Sequence, residues 1–274
     1  MEKYSVLMSL YKKEKPDFFS VAIESILNQT IRPDEIIVVK DGPLTQALDV
    51  RLDFYCNKYP KLIHVVVNEA NLGLGESLNR GVKVCRNELI ARMDTDDISV
   101  LNRCELQLLY MQKHKEVSIV GGQIEEFFDN ENNTVGKRIV PTENAKIKQY
   151  LKKRCPFNHM TVMFRKNDVL EAGNYQDWFW NEDYYLWVRM ALKGKVFANI
   201  NEVLVKVRVG EEMYKRRGGL KYFKSEYNLQ KYLLKNKVIS IPIFVSNVVK
   251  RLVLQVLLPN AIRGWVFRKF ARSN

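Results

Sequence analysis

Four short apolar runs alternate with helical patterns over the first 94 residues, and this alternation limits the folds open to the chain. The runs are Tyr4–Leu10, Asp34–Lys40, Leu62–Val67 and Leu89–Met93. Between them, apolar residues at helical spacing predict helices that begin near Pro16, Thr45 and Glu76. Parallel strands need a crossover connection, so strands alternating with helices favour βαβ units. The pattern therefore predicts a Rossmann-like α/β domain with a mainly parallel central sheet flanked by helices.

Polar residues follow the carboxyl end of each predicted strand. The first three ends carry Ser9 and Tyr11, Asp41–Gly42, and Asn68–Asn71. In open parallel sheets ligands bind beyond these ends, so we expect the side chains in one crevice. Tyr11 offers a ring for a nucleotide base, whereas Asp41 either contacts a ligand or only shapes a common Asp–Gly turn. The Gly-containing loop that follows Asn71 resembles a phosphate cradle but lacks the Walker lysine.

The fourth strand end carries three carboxylates, at Asp94, Asp96 and Asp97. Three unpaired charges after an apolar strand call for a cation, and oxygen ligands suit Mg²⁺ or Mn²⁺. Residues two apart in a strand point to the same side, so Asp94 and Asp96 are predicted to share one ligand, with Asp97 turned away. A helix-capping role for Asp97 or Ser99 would explain only one acid. A calcium loop is disfavoured, because Ser99 stands where that loop needs glycine.

The second half of the chain continues with mixed elements. Helices are predicted at Val100–Lys113, from Thr142 to about Lys153, and at Asn181–Leu192. Strands are predicted at Val117–Val120, ended by a break at Gly121–Gly122, at Thr161–Phe164, Val196–Asn199 and Val203–Val209. Gln123–Phe128 and Val135–Val140 form a predicted hairpin. Four widely spaced cysteines are expected to be free thiols rather than a zinc cluster.

A second acidic pair, Glu182–Asp183, opens a predicted helix after the aromatic run Trp178–Trp180. The helix dipole favours acids at this position, so capping is one explanation. The alternative is functional, with Trp180 as an aromatic face for a sugar ring and a carboxylate as a base for its hydroxyl. His159, one of three histidines, is a candidate metal or phosphate contact or else a structural side chain.

The C-terminal part of the chain is strongly basic. Residues 206–274 contain 16 Lys/Arg and 3 Asp/Glu, and thus carry the whole formal net charge of +13. The apolar runs Val238–Val249 and Leu252–Ile262 are each too short to span a bilayer, which takes about 20 residues. Residues 211–274 are therefore predicted to form a basic amphipathic helical extension that lies on an anionic membrane surface. The alternative is a helix packed on the core with a solvated basic face.

Together these residues resemble the family 2 glycosyltransferases of GT-A fold, in particular bacterial enzymes of capsule, exopolysaccharide and O-antigen synthesis. The resemblance covers about residues 4–210. Its motifs are Val6–Tyr11, Gln29–Thr30, Val38–Gly42, Asn71–Gly73, Leu78–Gly81, Ala91–Asp97, His159–Phe164 and Glu182–Trp187.

The resemblance implies a role for each matching residue. On the donor side, Ser9 and Tyr11 hold the nucleotide base, Asp41 bonds uracil, and Asn71 and Gly73 flank the nucleotide. Asp94 lies near the ribose and diphosphate, while Asp96 binds the divalent metal with Asp94 and, as a further candidate, His159. On the acceptor side, Asp183 is the general base, and Glu182 and Trp180 contact the acceptor.

The resemblance also implies a domain plan and an activity. Residues 1–210 would form the catalytic domain, with a nucleotide-binding half of about 1–100 and an acceptor-binding half of about 101–210. The expected reaction is an inverting transfer of one sugar from a UDP-sugar to a lipid-linked saccharide, dependent on Mn²⁺ or Mg²⁺. It is expected to be non-processive, because the Q-x-x-R-W motif of processive members is absent.

The expected location is the cytoplasm, peripheral to the inner face of the cell membrane, because the first ten residues are too polar for a signal peptide. Two alternative functions stay open. A nucleotidyltransferase would need a Gly-rich, Lys/Arg-bearing signature near the first strand. A nucleic-acid-binding module would use the basic tail, but that tail is interleaved with Ile, Val and Leu rather than stacking aromatics, so no nucleic acid is expected.

Overall fold

A computed structural model describes residues 2–210 and 218–258. Within these residues one sheet of nine strands runs through the molecule, in the order β3-β2-β1-β4-β8-β6-β9-β5, with β7 paired to β6. The strands are β1 Tyr4–Leu10, β2 Glu35–Asp41, β3 Ile63–Asn68, β4 Leu89–Met93, β5 Ile98–Ser99, β6 Val117–Phe127, β7 Thr134–Arg138, β8 Met163–Arg165 and β9 Val196–Arg208. The α/β architecture predicted from the alternating pattern is confirmed.

The first four strands are all parallel and lie side by side, with β1 between β2 and β4 and β3 outside β2. Three helices connect them: α1 Pro16–Leu27, α2 Gln46–Lys58 and α3 Leu74–Val84. Helix α3 approaches the sheet closely at Gly81, where a Cβ would lie 2.2 Å from Leu7 Cδ1. This close βαβ packing brings the carboxyl ends of the four strands to one edge.

The rest of the sheet is mixed. Strand β8 is antiparallel to both of its neighbours, β4 and β6, whereas β6 is parallel to β9. Strands β5 and β7 add antiparallel pairs, the second of which is the predicted hairpin. The predicted mainly parallel character therefore holds strictly for the N-terminal half and only partly for the C-terminal half.

Two predicted interruptions of strands are wrong. Strand β6 runs straight through Gly121 and Gly122, and β9 joins the two strands predicted on either side of residue 201. The glycines are needed for space: a Cβ on Gly121 would lie 2.4 Å from Asn199 Oδ1, and one on Gly122 would lie 2.4 Å from Leu204 Cδ1. The pairing of β6 with β9 shifts register between Gly122 and Gln123, so an irregularity replaces the predicted break.

Three further predicted helices are present with shifted ends: α4 Arg103–Lys113, α5 Asn144–Leu151 and α7 Glu182–Leu192. Helix α6 Lys166–Glu171 and a 3₁₀ turn at His159–Thr161 were not predicted. Helix α4 begins three residues later than predicted because Ile98–Ser99 pairs with β9 instead. Its N-cap position is Asn102, so neither Asp97 nor Ser99 caps it.

Two further helices follow the catalytic part: α8 Leu220–Lys235 and α9 Ile241–Leu252, which continues into a π-helical turn, Val253–Leu257. Leu229 and Leu233 of α8 are fully buried in the same apolar cluster as Trp187 of α7. Among the described helices, none has both the length and the apolarity needed to cross a membrane. The predicted boundary between residues 210 and 211 borders a segment outside the described residues, and the division into domains stays a prediction, as does every role given to residues 259–274.

Candidate active site

The carboxylate of Asp41, at the end of β2, organises the loop that precedes α3. Its Oδ1 accepts hydrogen bonds from Asn68 Nδ2 at 3.1 Å and from the Leu72 backbone N–H at 2.8 Å. Its Oδ2 accepts from Asn71 Nδ2 at 2.8 Å and from the Gly73 backbone N–H at 3.1 Å. Asp41 is almost fully buried, so these four bonds satisfy a carboxylate that would otherwise be costly to bury. The loop is shaped by Asp41 itself, and the predicted contact of Asp41 with uracil stays a prediction.

Two glycines allow this loop to come so close to β2. Gly42 has φ +81°, and a Cβ there would lie 2.6 Å from the Asn71 backbone nitrogen. Gly73 has φ +87° and occupies the N-cap position of α3. Both angles are in the region that glycine adopts without strain. Asn71 and Gly73 therefore stand at the predicted edge of the sheet, held against Asp41.

The three acids after β4 lie together as one cluster. Oxygen atoms of Asp94, Asp96 and Asp97 all lie within 4.8 Å of one another. Burial and the neighbouring Asp94 raise the pKa of Asp96 to about 7, and burial and Asp96 raise the pKa of Asp97 well above its ordinary value. The prediction that Asp97 turns away is wrong: β5 directs the chain back toward β9, and Asp97 Oδ1 accepts the Arg208 backbone N–H at 2.9 Å.

A buried arginine, Arg92, stands directly behind this cluster. Its guanidinium makes a two-point ion pair with Asp94, one bond of which, from Nη1 to Oδ2, is 2.7 Å. Arg92 is 2% exposed, and it lies on β4 between apolar residues. A second buried arginine, Arg103, donates to the Arg92 carbonyl at 2.7 Å. Asp94 is therefore paired with a protein cation, whereas among residues 2–210 and 218–258 no Lys or Arg side chain forms an ion pair with Asp96 or Asp97.

This donor set fits a divalent cation. Three carboxylates whose oxygens lie within 4.8 Å of one another offer hard oxygen ligands, and burial together with the neighbouring acids raises the pKa of Asp96 and of Asp97. A bound cation would offset the negative charge of the three acids. Asp96 and Asp97 would hold it with Asp94, while Arg92 keeps Asp94 oriented.

His159 is not part of this cluster, and its prediction as a metal ligand is not supported. Its Nε2 lies 2.8 Å from the Tyr175 hydroxyl, and its ring packs against Trp187 at a centroid distance of 6.0 Å. Burial, with Arg92 nearby, holds the pKa of His159 well below its ordinary value, so the ring is neutral. The 3₁₀ turn His159–Thr161 buries His159, whose ring contacts Tyr175.

The second acidic pair opens helix α7, as predicted. Asp183 Oδ1 accepts the Tyr184 backbone N–H at 2.6 Å, and Oδ2 accepts the Cys155 thiol at 3.4 Å. Burial raises the pKa of Asp183, and burial together with the Asp183 charge raises the pKa of Glu182 to about 8. Such a pair shares a proton near neutral pH. Asp183 is a carboxylate with a raised pKa, and so a better base than an ordinary one.

The charge of Arg92 acts on both acidic groups. The pKa of Glu182, raised first by burial and Asp183, is also affected by Arg92 and Asp94. Arg92 is likewise among the groups that act on the pKa of Asp96 and of Asp183, after burial. Helix α3 touches the pair from the other side, because a Cβ on Gly75 would lie 3.2 Å from Glu182 Cβ. One buried guanidinium thus lies within electrostatic range of both clusters.

The other predicted residues line the same edge. Ser9 is the last but one residue of β1, and its carbonyl accepts the Thr95 hydroxyl at 3.5 Å, which ties that end of the strand to the acidic loop. Tyr11 follows β1 and is partly exposed. Trp180 is 47% exposed just before Glu182, and its ring stacks on Phe179 at 4.7 Å.

Several functional residues escaped the sequence analysis. Arg92 had a usable signal, since a charge inside an otherwise apolar strand must find a partner. Cys155 and Arg208 had none, because their contacts to Asp183 and Asp97 join residues 28 and 111 positions apart. The four cysteines are free thiols, as expected.

Four parallel strands end at one edge beside a cluster of three acids that could bind a cation. This arrangement, together with a second acidic pair at the start of α7, suits enzymes that transfer groups from nucleotide-bound donors. Comparison with known proteins is more specific. The model of the family "Glycosyl transferase family 2" matches residues 5–173, and the chain belongs to this family. It is a glycosyltransferase.

Two curated relatives are bacterial. The amylovoran biosynthesis glycosyltransferase AmsE of Erwinia amylovora is 42% identical over 231 residues, which cover 84% of this chain and 85% of AmsE. UDP-Gal:alpha-D-GlcNAc-diphosphoundecaprenol beta-1,3-galactosyltransferase of Escherichia coli is 38% identical over 270 residues, which cover 98% of this chain and 97% of that enzyme. The likeness to the second extends through the C-terminal helices.

Solved structures show the same GT-A-like fold at low sequence identity. TarS 1-349 of S. aureus in complex with UDP-GlcNAc matches with a TM-score of 0.65 at 17% identity, covering 92% of this chain and 72% of that one. Mannosyltransferase PcManGT from Pyrobaculum calidifontis, in complex with GDP-Man and Mn²⁺, matches with a TM-score of 0.62 at 14% identity, covering 99% and 76%. The predicted fold class is confirmed.

Proposed function

We propose that this glycosyltransferase moves one sugar from a UDP-sugar to a hydroxyl of a lipid-linked saccharide, with inversion, in the synthesis of a bacterial surface polysaccharide. The observation that carries the proposal is the presence of two separate acidic groups, of which one is paired with Arg92 through Asp94 and the other also feels the charge of Arg92. One group is a cation site at the edge of the parallel sheet, and the other is the Glu182–Asp183 pair. A cation held by the first group would neutralise the charge of the leaving diphosphate, while the second group removes a proton from the acceptor hydroxyl.

Asp183 is the proposed base. Its Oδ1 is held by the Tyr184 backbone N–H, and its Oδ2 accepts only the weak Cys155 thiol, so one oxygen has capacity left for an acceptor hydroxyl. Removal of the proton as the hydroxyl attacks the anomeric carbon gives direct displacement, which inverts that centre. One carboxylate suffices, whereas a glycosidase needs a pair that flanks the bond. Glu182, with a pKa of about 8, is protonated near neutral pH and can donate a hydrogen bond to the acceptor.

The donor is proposed to bind along the other side of the crevice. A divalent metal, Mn²⁺ or Mg²⁺, bound by Asp94, Asp96 and Asp97 would stabilise the charge of the departing diphosphate. Ser9, Tyr11 and the loop held by Asp41 lie where the nucleoside would extend. A UDP-sugar is favoured because the E. coli relative uses UDP-Gal and TarS binds UDP-GlcNAc.

A lipid-linked acceptor is favoured by the outer face of helix α9, because this face exposes apolar side chains. Six apolar residues on it are 36–67% exposed and form what we call the apolar stripe: Ile241, Val245, Val249, Leu252, Val253 and Leu257. On its inner side, Ile243 and Phe244 pack against the core, and polar groups are buried beside them: Asn247 donates to Gln230 Oε1 at 2.8 Å, and Arg251 is paired with Glu226. A helix that buries polar groups and exposes apolar ones suits contact with an apolar phase.

The positive charge of the C-terminal region favours binding to an anionic surface. Residues 206–274 carry the whole net charge of +13, so an anionic membrane is the complementary partner. The name of the E. coli relative gives its acceptor as a diphosphoundecaprenol-linked sugar, which carries a long apolar chain. We therefore propose that the enzyme binds peripherally to the inner face of the cell membrane through the apolar stripe.

Sedimentation with vesicles tests the membrane proposal. The protein should bind vesicles that contain phosphatidylglycerol, and a Val245→Asp/Val249→Asp double variant should bind at least tenfold more weakly. Val50→Asp, which changes an equally exposed valine on α2, is the matched control and should bind normally. Equal binding by the double variant would refute the stripe as the contact surface.

Calorimetry and a donor screen test the reaction. UDP should bind only with Mn²⁺ or Mg²⁺, and one sugar nucleotide should release UDP when a GlcNAc-diphosphate carrying a short lipid is supplied as acceptor. Asp96→Asn should abolish the metal-dependent binding of UDP, whereas Asp53→Asn, an exposed acid on α2, should not. Retained metal-dependent binding in Asp96→Asn would remove Asp96 as a ligand. Inversion is read from the anomeric configuration of the product by NMR.

A further inference from the structure

The turn that leads into Glu182 is held in place by helix α8. Ser225 of α8 is buried, and its hydroxyl donates to the Phe179 carbonyl at 2.6 Å and accepts from Asn181 Nδ2 at 3.2 Å. The Ser225 carbonyl accepts the Trp178 indole N–H at 3.2 Å. One residue of α8 thus makes three hydrogen bonds to three residues of the four-residue turn 178–181. The conformation of the turn depends on α8.

The backbone of this turn is strained where its largest side chain is exposed. Trp180 has φ +54°, a region that bulky residues rarely adopt, and its side chain is 47% exposed. Folding stability alone gives no reason to hold an exposed tryptophan in this way, because a glycine there would relieve the strain. Strain that the surroundings impose on an exposed aromatic residue next to catalytic acids points to a binding role.

Helix α8 also contributes side chains to the surface around Trp180. The ring of Tyr222 lies 5.9 Å from that of Trp180, and Lys221 Nζ lies 4.2 Å from the centroid of Phe179. Phe179 and Trp180 are stacked with their planes 15° apart. The result is an aromatic surface of three rings, Phe179, Trp180 and Tyr222, built by two separate parts of the chain. We call it the aromatic platform.

We propose that the aromatic platform binds a sugar ring of the acceptor, that Tyr222 of α8 is part of this subsite, and that Ser225 is its positioning residue. Pyranose rings present an apolar face of C–H groups, and large aromatic faces are the protein surfaces that suit it. The platform is adjacent in sequence to Asp183, so a ring resting on it has its hydroxyls near the base. The proposal rests on the proposed function and deepens it, because it assigns acceptor recognition to a helix outside the family match at 5–173.

Kinetics with the GlcNAc-diphosphate lipid as acceptor test the proposal. Trp180→Gly and Tyr222→Ala should each raise the acceptor KM at least tenfold, with the donor KM unchanged. Ser225→Ala should raise the acceptor KM severalfold, and Ser225→Thr, which keeps the hydroxyl, should restore it. Phe54→Ala, which removes an exposed phenylalanine from α2, is the matched control and should change neither constant.

The variant Trp180→Gly distinguishes the role of the indole ring in binding from the effect of the strained backbone on stability. Glycine relieves the positive φ, so this variant should be at least as stable to heat as the parent while losing acceptor affinity. If Trp180 had only a structural role, the variant would keep the parental acceptor KM. That result would overturn the proposal.

Binding can also be measured without transfer. In saturation-transfer NMR, methyl N-acetylglucosaminide should receive saturation from the parent protein and lose it with Trp180→Gly. Transfer of saturation that persists in both Trp180→Gly and Tyr222→Ala would refute the platform even if no sugar nucleotide is turned over. Conversely, absent UDP release with intact saccharide binding would refute the proposed reaction and leave the platform standing.

Discussion

The donor side and the acceptor side of the crevice are built in different ways. On the proposed donor side, Asp41 holds the loop at 71–73 through three hydrogen bonds and accepts a fourth from Asn68 of β3, all within the first βαβ units of the chain. On the acceptor side, the turn before Glu182 depends on Ser225, which is 46 residues away from Phe179 and lies on α8. One side is complete within a local stretch of chain, and the other needs a distant helix.

This difference parallels a division between the part of the chain that matches the family model and the part that lies beyond it. The family match ends at residue 173, before the aromatic platform and before Asp183. The donor crevice lies within the matched segment, and α8 and α9 lie beyond it. Arg92 lies within electrostatic range of both sides and so links them. Substitutions on the donor side should therefore change donor affinity, and substitutions on the acceptor side should change the acceptor KM or the rate of transfer. Substitution of Arg92 should affect both sides.

The largest effect is expected at the base. Asp183→Asn removes the proton acceptor without changing its size, so transfer should fall about 10²–10⁴-fold. Binding of UDP with Mn²⁺, measured by calorimetry, should be unchanged because the substitution is confined to the acceptor side. Glu182→Gln, made in parallel, should retain much more activity. Near-normal transfer by Asp183→Asn would move the base to another residue.

Arg92→Met should impair the donor side and the acceptor side at once. It leaves Asp94 beside Asp96 and Asp97 without its cation, and we expect a loss of about 3 kcal/mol in the free energy of unfolding in urea. Both donor affinity and transfer should fall. Arg51→Met, which removes an exposed ion pair with Asp17, should cost no more than about 1 kcal/mol. Equal costs for the two variants would argue against Arg92 as the link.

Asp41→Ala should affect the donor side alone. Four donors, two of them backbone N–H groups, lose their acceptor, and a buried group left unsatisfied costs about 1–3 kcal/mol. The affinity for UDP should fall roughly tenfold or more, by the usual conversion of 1.4 kcal/mol per factor of ten. The acceptor KM should stay constant. Asp53→Ala on α2 is the control, and a matching loss of affinity there would show an unspecific effect.

The smallest expected effect concerns the acid limb of the pH profile. Burial raises the pKa of Asp183, and the hydrogen bond from Cys155 lowers it because it favours the charged form. Activity that needs ionised Asp183 is lost as pH falls through this pKa. Cys155→Ala should therefore move the acid limb of kcat to higher pH by less than about one unit, since a thiol is a weak donor.

Cys155→Ser supplies a stronger donor at the same place and should move the limb in the opposite direction. The shift is read from kcat at saturating acceptor over a range of pH. Identical limbs in the parent and both variants would show that Cys155 does not act on the base.

The fold was largely predictable because its signals are local. Alternating apolar runs and helical patterns repeat within 20–30 residues, and each polar strand end could be placed by the rule for parallel sheets. Predictions failed where packing overrode local chemistry. Gly121 and Gly122 look like a break in the sequence, yet they lie in a continuous strand because Asn199 and Leu204 leave no room for a Cβ.

The site was predictable in its components and less so in its arrangement. The sequence by itself determined that acids follow β4 and begin α7, because short stretches of sequence are enough to identify the residue types and the ends of these elements. Only the tertiary structure decided that Asp97 joins the cluster, that His159 contacts Tyr175 instead, and that Arg92 pairs with Asp94. It also decided that Ser225 holds the acceptor turn. These contacts join residues far apart in the chain, and the geometry of packing that brings them together leaves no local pattern to read.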